Sequence, residues 1–217
     1  PDCFTHYGGA QYINSTATGN YEDYLTKELV QFIDENLLTI PDKNSRAVMG
    51  KSSGGYGAMI CGLRHADKFG LICSTAGDCY FEMCYLRDFP KAFRAIKGNP
   101  KRLLAKFWNE DAKKGKTDFD GLNIIGMSAC YSPNGNEFDL PFNLQTGEMR
   151  ADIWQKWLKH DPVRLVEKHA DNLRSLKLLF LDAGKSDEFN LDIGARILSN
   201  KLKQYSIDHV HEEFDGG

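Results

Sequence analysis

Apolar residues along the chain recur at helical spacing, give way to short unbroken runs, and then return to helical spacing. Leu25, Leu29, Phe32, Ile33 and Leu37 share one helical face behind Asn20, a good N-cap, so "NYEDYLTKELVQFIDENL" predicts an amphipathic helix. A turn at "PDKNS" follows. Ala47-Val48-Met49, Leu71 to Thr75 and Leu176 to Leu181 are short apolar runs of buried-strand character. Between the first two lies a helical segment, "GGYGAMICGLRHADKF". Behind the third, Leu191, Ala195, Leu198, Leu202 and Tyr205 fall on one helical face. Strand alternating with helix predicts a mostly parallel sheet with helices on both faces.

Residues 79–160 break this rhythm. They comprise basic helical stretches ("KAFRAIKGNPKRLLAKFWNEDAKKGK"), a loop ("YSPNGNEFDLPFNLQTGE") and an aromatic helix ("ADIWQKWLKHDP"), and read as a cap-like insertion within a single domain. Ile153, Trp154, Trp157 and Leu158 form one face of that helix. Two roles fit: covering the core, or roofing a pocket.

Composition narrows the function classes. With 217 residues, 41% of them hydrophobic, the chain is long enough for one domain with a substantial core. A net charge of −3, with Lys and Arg spread along the chain, argues against a nucleic-acid partner. No apolar run approaches the roughly 20 residues of a membrane span, and no signal-peptide pattern opens the chain. The six cysteines show neither C-x-x-C spacing nor the density of a disulfide scaffold. They read as reduced thiols used as small apolar residues, which favours a cytoplasmic setting. The chain starts Pro1-Asp2-Cys3 without a methionine, so an upstream segment stays open.

The densest chemical signal is "RAVMGKSSGGYGAM", Arg46 to Met59. Gly50-Lys51-Ser52 could end a phosphate-binding loop, which would make Ser52 a magnesium ligand. Gly50 to Gly54 is also a complete G-x-S-x-G nucleophile elbow, which would make Ser52 a nucleophile. A phosphate loop needs a glycine where Ser45 stands, and loop residues where Ala47-Val48-Met49 read as strand. Its support is "LKLLFLD", a hydrophobic strand ending in Asp182. The elbow uses every small residue in the stretch: Gly50 and Gly54 relieve collisions at the turn, and Gly55, Gly57 and Ala58 let the next helix approach the sheet. Ser53 N–H would then donate to an oxyanion at the positive end of that helix. Lys51 reads as a solvated cation or as a lure for an anionic substrate.

"RAVMGKSSGGYGAM", "DAGKSDEFN" and "EEFDGG", in this order, resemble the α/β-hydrolase esterases related to esterase D and S-formylglutathione hydrolase. "GGAQYINSTATGNYEDYLTKELVQFID" is similar to their segment leading into the elbow, and "YSPNGNEFDLPFNLQTGEMRADIWQKWLKHDPVRLVE" to the cap-region insertion of one branch. The resemblance implies an α/β-hydrolase fold and a serine esterase or thioesterase working through an acyl-enzyme. Its triad would be Ser52, then an acid, then a histidine, with Ser53 in the oxyanion hole. For the acid it favours Asp187 in "GKSDEFN" over Asp182 at the strand end. Asp187 could equally be a helix N-cap, and Asp78 behind "LICSTAGD" is a third candidate.

The resemblance places the histidine directly after a segment like "EEFDGG", next to Gly217. The second oxyanion donor and the first strands would lie upstream of Pro1, leaving a sheet edge open. His6 and His65 precede the acid, His160 and His169 lie in or beside the insertion, and His209 and His211 lie in the last strand-like run. The substrate would be a small acyl ester or thioester, with no cofactor, metal, nucleic acid or membrane required; a homo-oligomer is compatible with it. A hydrolase-fold binding module without catalysis and a phosphate-loop nucleotide binder are the competing readings.

Overall fold

The computed structural model describes residues 1–217. Its centre is a four-stranded parallel sheet in the order β1 (Ala47–Lys51), β2 (Leu71–Thr75), β3 (Leu178–Gly184), β4 (Val210–Phe214). Lys51 pairs with Thr75, Thr75 with Asp182 and Asp182 with Glu212, so all four strands run to the same end of the sheet, with β3 and β4 paired two residues further. In an open parallel sheet, that end is where crossover loops gather and ligands bind. The strand read from Leu176 starts two residues later, because the N–H groups of Lys177 and Leu178 both turn to Gly70 O.

The main helices are α1 (Ser53–Arg64), α2 (Phe89–Ile96), α3 (Pro100–Trp108), α4 (Lys116–Tyr131), α5 (Ala151–Leu158) and α6 (Leu191–Gln204). Helix α1 packs on β1 and β2, and α6 packs on β3 and β4. Ile72, Leu179, Leu181 and Ala183 alternate with less buried neighbours along β2 and β3, as strand periodicity requires of a sheet covered on its inner face. β1 is an edge strand, and its Met49 is 76% exposed. No helix is long and apolar enough to cross a membrane.

The amphipathic helix expected behind Asn20 spans Tyr21 to Asn36 but contains a π-helical segment, Tyr24–Leu29. Asn20 makes no side-chain cap. Asn14 Oδ1 instead accepts from Asp23 N–H at 3.1 Å, a cap that arrives from the preceding hairpin and is invisible to local sequence reading. All six cysteines are free thiols, four of them buried.

The aromatic face of α5 is core. Trp157 is wholly buried and Trp154 nearly so, edge-on to Phe89 at 5.8 and 5.6 Å, with Tyr131 at 5.4 Å from Trp157. Trp157 Nε1–H donates to Ser132 Oγ at 2.9 Å, so its one polar atom is satisfied and the full ring can be buried. Within the same insertion the fold draws the cations of the basic stretch together. Lys91, Arg94, Lys97, Lys106, Lys113, Lys114 and Lys116 converge on one depression whose acidic lining residues are Asp118 and Asp120. The turns between α2, α3 and α4 thus fold the basic stretch of the sequence into one local cluster.

The contact of α1 with the sheet is made of backbone. A Cβ on Gly55 would stand 2.8 Å from Gly77 Cα and 2.9 Å from Thr75 O, whereas one on Gly54 would meet nothing within 4 Å. Gly55→Ala is therefore expected to lower stability by about 1–3 kcal/mol through overpacking, with Gly54→Ala neutral or mildly stabilising. Urea unfolding of the two variants checks the contrast.

Candidate active site

β1 runs extended through Gly50 and Lys51, and the chain reverses at Ser52 to start α1. Ser52 sits at φ 55°, ψ −123°, a region that side-chain-bearing residues rarely occupy and that costs on the order of 1–3 kcal/mol. Three contacts hold it there. Ser52 N–H donates to Thr75 O at 3.0 Å, and Ser52 O accepts from Tyr56 N–H at 2.9 Å. Gly50 lies so close to Gly54 that a Cβ would overlap the Gly54 carbonyl carbon. Every residue from Ala47 to Lys51 is paired with β2, which leaves no loop to curl around a phosphate.

Ser53 opens α1, so its N–H has no intrahelical carbonyl to pair with and is presented where the helix dipole is positive. Ser52 and Ser53 line a cavity of about 390 Å³ at the C-terminal end of the sheet, together with Gly8, Gly9, Asp78, Tyr85, Phe107, Met127, Phe189 and Leu191. Its walls are mostly apolar. The insertion contributes through Tyr85, Leu104, Phe107, Phe119 and Met127, whereas the tryptophans of α5 stay in the core.

Asp187 occupies the loop after β3, next to the cavity-lining Phe189 and Leu191. Its Oδ1 accepts from Phe189 N–H at 2.8 Å and Leu191 N–H at 3.1 Å, so one oxygen caps the entry to α6 while Oδ2 has no protein partner. The cap alternative raised by the sequence is thus real, and it fixes the carboxylate without using up its acceptor capacity. Asp182 lies inside the ladder; its backbone O accepts from Ala76 N–H at 2.7 Å, and its Oδ1 is buried without a partner. It does not line the cavity.

None of the six histidines hydrogen-bonds to Ser52 or Asp187. His65 pairs with Glu22 at 2.7 Å, His209 with Ser199 at 2.8 Å, and His6 stacks on Trp108. His169 precedes a short helix behind the insertion. His160 lies against Tyr131, where burial pushes its pKa down to about 4. His211 sits opposite Leu181 within the sheet. The residue that does come against the Asp187 loop is Gly217: Ser186 N–H donates to Gly216 O at 2.8 Å, and a Cβ on Gly217 would stand 3.7 Å from Asp187 Cα.

A buried polar cluster completes the site. Asp78 Oδ2 accepts from Gln11 Nε2 at 2.9 Å and from the Tyr85 hydroxyl at 2.7 Å, with the Tyr131 hydroxyl 3.0 Å from the same Gln11 nitrogen. Gln11 and Tyr12 both have positive φ, which turns the Gln11 side chain inward. Gln11, Tyr85 and Tyr131 were not flagged by the sequence, because residues up to 120 positions apart meet here without a motif. Positive φ at two consecutive non-glycine residues is a structural signal only.

The chain matches the family model described as "Putative esterase" over residues 10–217, and it belongs to that family. S-formylglutathione hydrolase of Bos taurus is 34% identical over 96 residues, covering 42% of this chain and 33% of that protein. The Mus musculus enzyme is 34% identical over 82 residues, covering 36% and 28%. The chain thus matches about a third of the length of these curated relatives. A ferulic acid esterase superposes with a TM-score of 0.54 at 18% identity, over 95% of this chain and 56% of that one. S-formylglutathione hydrolase of Staphylococcus aureus superposes with a TM-score of 0.52 at 15% identity, over 95% and 60%. The fold is that of the α/β-hydrolases.

Burial raises the pKa of Asp78, and its two hydrogen-bond donors only partly oppose this. The folded chain therefore binds its proton more tightly than the unfolded chain. Stability falls as pH rises from the ordinary Asp value of about 3.9 toward the raised one, and the loss is complete above it. Asp78→Asn keeps an acceptor for Gln11 and Tyr85 without the charge. Its Tm relative to the parent protein is expected to be higher at pH 7 than at pH 4, as thermal melts at the two pH values would show.

Proposed function

We propose that the protein is a serine carboxylesterase or thioesterase with Ser52 as nucleophile, Asp187 as the acid of the triad and Ser53 N–H as an oxyanion donor. The carrying observation is the backbone of Ser52, a strained reversal between strand and helix that holds a hydroxyl at the mouth of an apolar cavity. Family membership and the hydrolase names of the relatives support the same reading.

The general base is a histidine that reaches the free oxygen of Asp187. The turn that brings Gly217 against Ser186 and Asp187 supports placing it immediately beyond that glycine. The histidine takes the proton of Ser52 Oγ as the new oxygen–carbon bond forms at the acyl carbonyl. Negative charge collects on the carbonyl oxygen, facing Ser53 N–H. Collapse breaks the bond to the alcohol or thiol, which leaves with the proton from the imidazolium. Water then repeats the sequence on the acyl-serine, releasing a carboxylic acid and restoring Ser52. Asp187 stays ionised throughout, holding the imidazole tautomer.

In the intact protein, Ser52→Ala is expected to reduce hydrolysis of short-chain aryl esters by at least about 10³-fold without loss of fold, since removing one hydroxyl leaves no large void. Activity within threefold of wild type would overturn the assignment. Asp187→Asn should lower kcat by about 10²- to 10⁴-fold and Asp182→Asn by no more than a few fold; the opposite ranking moves the triad acid to Asp182. Steady-state kinetics with circular dichroism reads both.

A further inference from the structure

Three carboxylates border the cavity, and they are not equivalent. Asp88 is buried beside Lys91 at 3.0 Å, and Asp120 lies at the rim shared with the basic depression. Asp78 is 8% exposed and has no lysine, arginine or histidine partner. Both of its hydrogen bonds fall on Oδ2. Oδ1 accepts none, yet it is not sealed inside the protein, and the space Asp78 opens onto is the cavity it shares with Ser52 and Ser53. A lone buried acid without a cation is costly to fold, and a leucine would fill the place at lower cost. In a mostly apolar pocket, an unfilled carboxylate oxygen with no cation beside it helps to fix which way a ligand lies.

We propose that Asp78 is a specificity-determining residue whose free carboxylate oxygen receives a hydrogen-bond donor, a hydroxyl or a protonated amine, carried by the substrate near its scissile carbonyl. This rests on Ser52 being the reacting group, because that shared cavity sets the distance between donor and carbonyl. Gln11 and Tyr85 act as positioning residues: by occupying Oδ2 they rotate Oδ1 into the pocket. The preferred substrates are thus esters or thioesters of hydroxylated or aminated small acids or alcohols, and simple alkyl esters bind without this contact. The cavity has room for such a group at about 390 Å³.

The test compares matched aryl esters in the intact protein: butanoate, 3-hydroxybutanoate and 3-aminobutanoate, with a second set carrying the hydroxyl or amine on the alcohol instead. Wild type is expected to favour a donor-bearing member by about 10- to 100-fold in kcat/KM, the range for a hydrogen bond to a charged group. The set that shows the preference identifies the donor as hydroxyl or amine, and its side of the ester. Asp78→Asn turns its amide nitrogen toward the cavity. It should bring the preference to about unity, whatever it does to the plain ester. Tyr85→Phe, which leaves the carboxylate and the Gln11 bond in place but removes one of the two contacts that orient it, should weaken the preference without abolishing it. Equal rates for all members in wild type would overturn the proposal. So would an equal loss on every ester in Asp78→Asn, the behaviour of a structural residue or a triad acid. Calorimetric binding of the same esters to Ser52→Ala separates this from the hydrolase reading. A Kd ratio that Asp78→Asn abolishes supports the contact even if Ser52 is not the nucleophile; no Kd ratio sinks it even if Ser52 is.

Discussion

Ser52 can hold its strained backbone only because α1 is pinned to the sheet through bare glycine backbone. Gly50 meets Gly54 across the turn, and Gly55 meets Gly77 across the α1–β2 gap, with the Ser74 hydroxyl donating to Gly55 O at 2.9 Å. Side chains at Gly50, Gly55 or Gly77 would push the helix away, and Ser52 would relax to an ordinary conformation. The strain is on the order of 1–3 kcal/mol, which such close packing can sustain. Its return is a hydroxyl that stands clear of the sheet and a helix N-terminus aimed at the space in front of it.

The rest of the site follows from where the strands stop. Parallel strands put the loops after β1, β2 and β3 at one end of the sheet, where Ser52 and Asp78 line the cavity and Asp187 lies beside its lining residues Phe189 and Leu191. They differ in environment. Asp187 is anchored by two backbone N–H groups on one oxygen and keeps the other open. Asp78 is packed among aromatic residues with two donors on one oxygen and no cation, its other oxygen opening onto the cavity. The aromatic core beneath, centred on Trp157, Phe89 and Tyr131, supplies the burial that offsets the cost of that charge.

The parallel sheet and the elbow were legible because their signals are local. Apolar runs of strand length, glycines at fixed offsets and one helical face behind each strand need no knowledge of distant residues. Only the family pattern distinguishes Asp187 from Asp182 in the sequence; in the structure the first lies in the loop after β3 and the second within the ladder. What escaped reading was non-local. The Asn14 cap on Asp23 and the Gln11–Asp78–Tyr85 cluster join residues that no periodicity links. The double role of the insertion was also hidden, since its tryptophans face the core while neighbouring residues line the cavity.

The central claim is that the geometry of this turn activates Ser52, and a fluorophosphonate tests it without assuming any substrate, because the probe couples only to a serine whose hydroxyl is made nucleophilic. Treated intact protein, digested and analysed by mass spectrometry, is expected to carry the adduct on the peptide containing Ser52. Denaturation before treatment should abolish it. Absence of an adduct on the folded protein, or an adduct on a different residue with Ser52 unmodified, would contradict the account.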